Sequence, residues 1–374
     1  MKRRVVALAA VLAAVGAAWL VQELYSPYRG YSGNVLVEIP AGEPAMAVAQ
    51  SLASRGVLAH RAPFLALYWV GRPRHRLKAG EYMFDRPLRP LDVYRKLIHG
   101  DVYLHTVVVP EGSDRFDIAH IFHERLGLDP TEFLSLTGQG AAIHDLDPQA
   151  PSLEGYLYPD TYRFARGVTP ATVVATMLGQ FRHVMETKFR EELAPGSARM
   201  HEVITLASLV EKETPDPDER PLIAGVFTRR LAKGMALQCD PTVIYAARLD
   251  GRPPGPITPQ DLEFNSPYNT YRYPNLPPGP IASPGEASIR AALYPAEGKA
   301  LYFVSNHHHR HIFAQTLAEH QRNVARYRRE VAALRHDTSE QPQGSRRASR
   351  LGESGRSART RKSAKRTEQE TSHP

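Results

Sequence analysis

Glu211 stands at the carboxy-terminal end of an apolar helical repeat, a setting that suits a proton donor. Val203, Leu206 and Val210 recur at helical spacing, with Ile204, Ala207 and Glu211 on the flank beside them. Thr214 precedes Pro215, and a residue before proline avoids helical backbone, so the helix is expected to end there. Loss of water around a carboxyl disfavours its anion, and the negative end of the helix dipole adds to that. A carboxyl kept protonated near neutral pH is what general acid catalysis requires. Glu213 lies roughly 200° further round the helix and is expected to face solvent. The spacing alone fits an ordinary charged residue at a helix end equally well.

The strings around Glu211 narrow the choice. ASLVEKET (207–214), Glu219-Arg220, AGVFTRRL (224–231), GM-LQ-DPTVIY (234–245), YNTYR (268–272) and LPPGPIASPGEASIRAALYPA (276–296) follow one another in order. LYFV (301–304) and the set His311, Phe313, Leu317, Ala318, His320 complete the series. Together they resemble the signature of the endolytic murein transglycosylases, the YceG-like family. The resemblance implies that the glutamate of the VEKET string, here Glu211, is the catalytic acid. It also implies that no cofactor is needed.

Other residues become candidates for holding a glycan. LEGYLYPDTYRF (153–164) is similar to a string of the same family and sets Glu154 among aromatics. Aromatic faces beside acids suit a saccharide cleft, and they suit a packed turn as well. Asp240 followed by Pro241 reads as the N-cap and first residue of a helix, which makes Asp240 structural first and a substrate contact second. Gln238, just outside that helix, is the better sugar contact. Cys239 stands where the family usually has a small hydroxyl residue. It is the only cysteine, so no internal disulfide can form, and it reads as an inert thiol. The segment 264–284 is dense in Pro and Asn and should be a rigid loop, with Asn269 and Tyr271 as candidates for orienting a glycan across the acid. Ser283-Pro-Gly-Glu286 reads as a capping box. The run His307, His308, His309 and His311 tempts a metal reading. Its side chains would splay to both faces of a hairpin and no acidic or cysteine partner stands at ligand spacing, so no metal site is expected. The resemblance puts a histidine at position 311, which makes His311 a cleft candidate.

These residues need elements to carry them, and the reading is an α+β chain in six segments. Residues 1–4, with Lys2, Arg3 and Arg4, form a short cytoplasmic stub, and 5–24 an apolar transmembrane anchor. Trp19 and Tyr25 suit the outer interfacial belt, and the basic end stays inside. A cleaved signal peptide is the competing reading, but bulky WLVQEL follows the small residues where a cleavage site would lie. Residues 32–104 read as a small α+β module resembling the LysM-like module of the family, a type that binds N-acetylglucosamine glycans. VEIPAGEPAMAVAQSL (37–52) repeats in VVVPEGSDRFDIAHIF (107–122), both as strand, turn and amphipathic helix. Either internal duplication or convergent turn chemistry explains that match. Residues 105–152 would then be a second strand–helix module or connector, and 153–335 a mixed α+β catalytic domain. In it, Thr169-Pro170 opens a long helix and Asp218 caps another. Residues 336–374 should be a disordered basic tail. From Asp337 on, it holds nine Lys or Arg against five Asp or Glu and too few apolar residues to bury a core. The tail supplies +4 of the net charge of +8, so the basic balance of the chain does not argue for nucleic acid.

The resemblance implies cleavage of MurNAc–GlcNAc bonds inside peptidoglycan glycan strands without water, leaving 1,6-anhydro-MurNAc ends and terminating nascent strands. It implies the inner membrane as location, a periplasmic catalytic domain, and peptidoglycan synthases as partners. One carboxyl suffices when the nucleophile belongs to the substrate, whereas a glycoside hydrolase ordinarily uses two. A hydrolase with Glu213, Asp216, Asp218 or Glu219 as second carboxylate is one alternative. A non-catalytic wall-binding anchor is the other.

Overall fold

The computed structural model describes residues 2–71, 76–253, 255–306 and 310–340. Helix α1 (Lys2–Tyr25) buries no residue and is long and apolar enough to cross a membrane. Near its end Trp19 packs on His60, with ring centroids 5.5 Å apart.

Two strand–helix–helix–strand units follow. The first runs β1 (Val35–Ile39), α2 (Ala45–Ser54), α3 (Arg61–Gly71), β2 (Gly80–Phe84), with α4 (Pro90–His99) after it. β1 and β2 pair antiparallel, Val37 opposite Tyr82. Alternate residues Val37 and Ile39 point inward onto Val48, Leu52, Phe64 and Leu97, which form a core of their own. Gly100 ends α4 in left-handed backbone, the conformation glycine adopts at least cost.

The second unit runs β3 (Leu104–Val108), α5 (Arg115–Leu126), α6 (Pro130–Thr137), a short 3-10 turn, then β4 (Thr161–Ala165). β3 pairs antiparallel with β4, Val107 opposite Tyr162. The repeated strings therefore follow the same path, and Gly42 and Gly112 take the same left-handed backbone at the turn. The second unit has no separate core. Val107, Ile118, Phe122 and Phe133 join one cluster with the helices that follow, so pairing and packing both run across residue 152.

Those helices are α7 (Pro170–Lys188), α8 (Ala198–Glu213), α9 (Arg220–Ala232), α10 (Asp240–Leu249), short α11 (Pro259–Leu262) and α12 (Glu286–Leu293). A hairpin of β5 (Tyr302–Ser305) and β6 (His311–Ala314) and the helix α13 (Leu317–Glu340) complete the fold. Thr169 caps α7 through its hydroxyl, as its place before Pro170 suggested. α8 lies at the centre. Every residue from 203 to 210 is buried, including Thr205 and Ser208, so the helix has no solvent face over that stretch. Gly155 meets the core where a Cβ would stand 2.4 Å from Pro280, at a φ of 83°.

Four local expectations are corrected. α9 begins after Glu219, not after an Asp218 cap. Cys239 is the N-cap residue of α10, and Asp240 is the first helical residue. Gly285 precedes α12 with no side-chain cap, and Glu286 pairs with Arg290 instead. α13 carries regular helix through 340, into the stretch expected to be disordered. The remainder of that tail and His307, His308 and His309 lie outside the described residues.

Candidate active site at the end of α8

The last turn of α8 sends Glu211 and Glu213 to different places. Glu211 enters a closed ionic clamp. Its Oε1 accepts from Arg220 Nη2 at 2.9 Å and its Oε2 from the backbone N–H of Gly285 at 3.0 Å. Both side chains are below 10 % exposed. Glu111, from the β3–α5 turn, approaches the same guanidinium at 3.7 Å. Burial, and then the neighbouring Glu211 charge, push the Glu111 carboxyl above its ordinary value. Lys212 Nζ donates to Gly112 O at 3.1 Å and closes the turn onto α8.

Glu213 lines an open cleft of about 300 Å³. The expectation that it faces bulk solvent is overturned, and the reason is the central position of α8. Where a helix is buried all round, the side opposite an apolar stripe is another packed or concave surface. Desolvation by the cleft walls pushes the Glu213 carboxyl up to about 7. The Cys239 thiol, a donor to Glu213 Oε2 at 3.4 Å, works against the rise, Asp240 adds to it, and Arg230 opposes it.

The other walls come from α9, α10, the Pro-rich loop, the hairpin and α13. Arg230 spends Nε and Nη1 on the carbonyls of Leu301, Ala236 and Leu237, which fixes the guanidinium in the wall. Tyr271 donates its hydroxyl to Asp240 Oδ1 at 2.5 Å. His311 places Nδ1 2.7 Å from Glu219 Oε2 and donates its backbone N–H to Oε1, so Glu219 orients the ring from behind. His320 stacks on Tyr302, and burial with the nearby Arg230 charge lowers its pKa, which keeps it neutral. Gln238 lines the cleft with a φ of +52°, a left-handed backbone that no other non-glycine among the described residues adopts.

The cleft thus gathers Gln238, Asp240, Tyr271 and His311 from the sequence candidates, together with Glu213, named there only as a second carboxylate, and adds Arg230 and His320. Glu211, Glu154 and Asn269 are not among its lining residues. Glu154 is 1 % exposed and accepts both oxygens' bonds from Arg115 N, which ties α5 to the loop before β4. Burial, with Asp114 nearby, pushes its pKa to about 8. Its neighbour Tyr156 is also fully buried and donates to Asp147, so this string is a packed turn. Asn269 is buried too. Its amide donates to the carbonyls of Leu262 and Phe264 and its oxygen accepts from Tyr271 N, which holds the loop that presents Tyr271. Arg230 and His320 were present in the motif strings but carried no period or pairing that marked a role. Among the described residues no cluster of His, Cys, Asp and Glu is placed to hold a metal ion.

A family model, that of the YceG-like family, matches residues 37–326, which run from within β1 through the second β-α-α-β unit, α8 and the whole cleft. The chain belongs to the YceG-like family. An endolytic murein transglycosylase of Bacillus subtilis is 31% identical over 310 residues, 79% of this YceG-like chain and 85% of the relative. One from Streptococcus pneumoniae is 28% identical over 322 residues, and there the chain covers 58% of the relative's length. The crystal structure of a yceG-like protein from Listeria monocytogenes shares 32% identity at a TM-score of 0.54, over 78% of this chain and 99% of that one.

Proposed function

We propose that this YceG-like chain is a membrane-anchored endolytic murein transglycosylase, a lyase of peptidoglycan glycan strands, with Glu213 as its acid and base. The observation that carries the reading is the Glu213 carboxyl, held near 7 in a cleft of amide, phenol, carboxylate and imidazole groups. Relatives that bear this activity in their names support the substrate class. The acid role moves from Glu211 to Glu213 because Arg220 and the Gly285 N–H already occupy both Glu211 oxygens and its side chain does not line the cleft.

In this mechanism Glu213 protonates the oxygen that bridges MurNAc C1 to GlcNAc as that bond breaks. The carboxylate left behind takes the proton of the C6 hydroxyl while O6 bonds to C1. The proton count closes on Glu213, no water is consumed, and the new end is 1,6-anhydro-MurNAc. Gln238, the Tyr271–Asp240 pair and the Glu219-oriented His311 hold the sugars across the carboxyl. Because the nucleophile is part of the substrate, its attack has the high effective concentration of an intramolecular step.

α1 anchors the enzyme with its basic end in the cytoplasm and the cleft in the periplasm of the inner membrane. The first β-α-α-β unit is a LysM-like glycan-binding module, and the enzyme works beside peptidoglycan synthases to end nascent strands. The rival reading is a hydrolase, favoured by the presence of a second carboxylate, Asp240, in the same cleft. Digestion of isolated strands in heavy-oxygen water separates them. The expected products carry no label and end in the anhydro sugar, as mass spectrometry would read. Labelled reducing ends would assign a hydrolase instead.

A further inference from the structure

The turn from Gln238 to Cys239 is held more tightly than a connector between two helices needs. Gln238 N donates to Thr270 O at 3.1 Å, and Cys239 N donates to Thr270 Oγ1 at 3.0 Å. Thr242 Oγ1 donates to Cys239 O at 2.6 Å and lies 2.9 Å from Thr270 Oγ1. These bonds hold Gln238 in left-handed backbone, which costs a side-chain-bearing residue free energy and persists only where the surroundings over-determine it. The result of the constraint is the direction of one small side chain. Cys239 is 1 % exposed and its Sγ points at Glu213 Oε2, 3.4 Å away.

We propose that Cys239 is a positioning residue for the acid: its thiol occupies Oε2 of Glu213 as a weak donor, so that Oε1 is the oxygen that carries the proton to and from the glycan. The inference rests on Glu213 being the acid.

The weakness of the donor matters. A carboxylate gains from every donor aimed at it, and a strong one would hold it as the anion. A thiol fixes the orientation of the carboxyl at a small cost in its readiness to be protonated. Among the described residues, the other charged or titratable groups lining the cleft with Glu213 are Arg230 from α9, Asp240 from α10, Tyr271 from the loop, His311 from β6 and His320 from α13. Arg230 and Asp240 act on it with opposite signs, and the Cys239 thiol is the one donor within hydrogen-bond reach that works against the desolvation of the carboxyl.

The experiment uses the full chain, solubilised, and two variants, Cys239→Ser and Cys239→Ala. A hydroxyl is the stronger donor and stabilises the anion, so the alkaline fall of kcat/KM should move to lower pH in Cys239→Ser. In Cys239→Ala the donor is gone, and the fall should move to higher pH. Each shift should be about half to one pH unit, the size one hydrogen bond gives. Infrared titration of the Glu213 carboxyl band, assigned by its absence in Glu213→Gln, should move in the same order without any substrate. Rates that drop at every pH with the fall and the band unmoved would overturn the inference and leave Cys239 a packing residue. A band that shifts while the pH profile does not would uphold the contact and overturn Glu213 as the acid.

Discussion

Glu211 and Glu213 leave the same turn of α8, and the two regions they enter treat a carboxyl in opposite ways. The clamp gives Glu211 a guanidinium, a backbone N–H and almost no water, so its charge is fully answered. The cleft takes water from Glu213 and gives it only a thiol donor and a distant guanidinium. Burial alone does not make an acid. Burial with a complete set of partners makes a structural ion pair, and burial without one makes a group that exchanges its proton near neutrality.

Three substitutions can break or sharpen this contrast. Glu213→Gln keeps the size of the side chain but removes the proton. It should lower the cleavage rate by about 10²–10⁴, with the thermal midpoint unchanged by calorimetry. Glu211→Gln should do the reverse. It leaves Arg220 buried and short of a charge, which should cost about 3 kcal/mol of stability by denaturant unfolding, the low end for such a loss because Glu111 remains beside it. The rate per folded molecule should stay within a few-fold of the native value. A stable, inactive Glu211→Gln would put the chemistry back in the clamp. The smallest effect belongs to Asp240→Asn. Removing a like charge eases ionisation of Glu213, so the alkaline fall in kcat/KM should shift to lower pH by about 0.5 unit.

Much of the scaffold could be read from punctuation. Pro40, Gly42, Pro110 and Gly112 announced two matching turns, and Thr169-Pro170 the start of α7. Those signals are local, because one backbone conformation satisfies them. The site was legible in part. Gln238 and Tyr271 flank rigid turns that present them, so naming the turn nearly named the residue, whereas His311 was a candidate only through the family resemblance. Glu213 was misplaced because periodicity separates faces only when one face is wet, and α8 has none from 203 to 210. Glu154 and Asn269 look like surface polar groups until their partners, Arg115 N and the carbonyls of Leu262 and Phe264, are brought in from other segments. Caps misled for a related reason. Asp218, Asp240 and Ser283 are good cap formers next to helices that begin one or more residues later or earlier, and nothing in the local string sets that offset.

The left-handed residue at 238 has a consequence for how such a chain can be improved. Left-handed backbone at a side-chain-bearing residue costs about 1 kcal/mol or more, and glycine would erase that cost. A directed-evolution library screened for heat resistance alone would therefore drift toward glycine at 238 and discard the amide that lines the cleft. Any selection for robustness in this protein has to carry a second selection on glycan turnover, because at this position the two objectives pull in opposite directions.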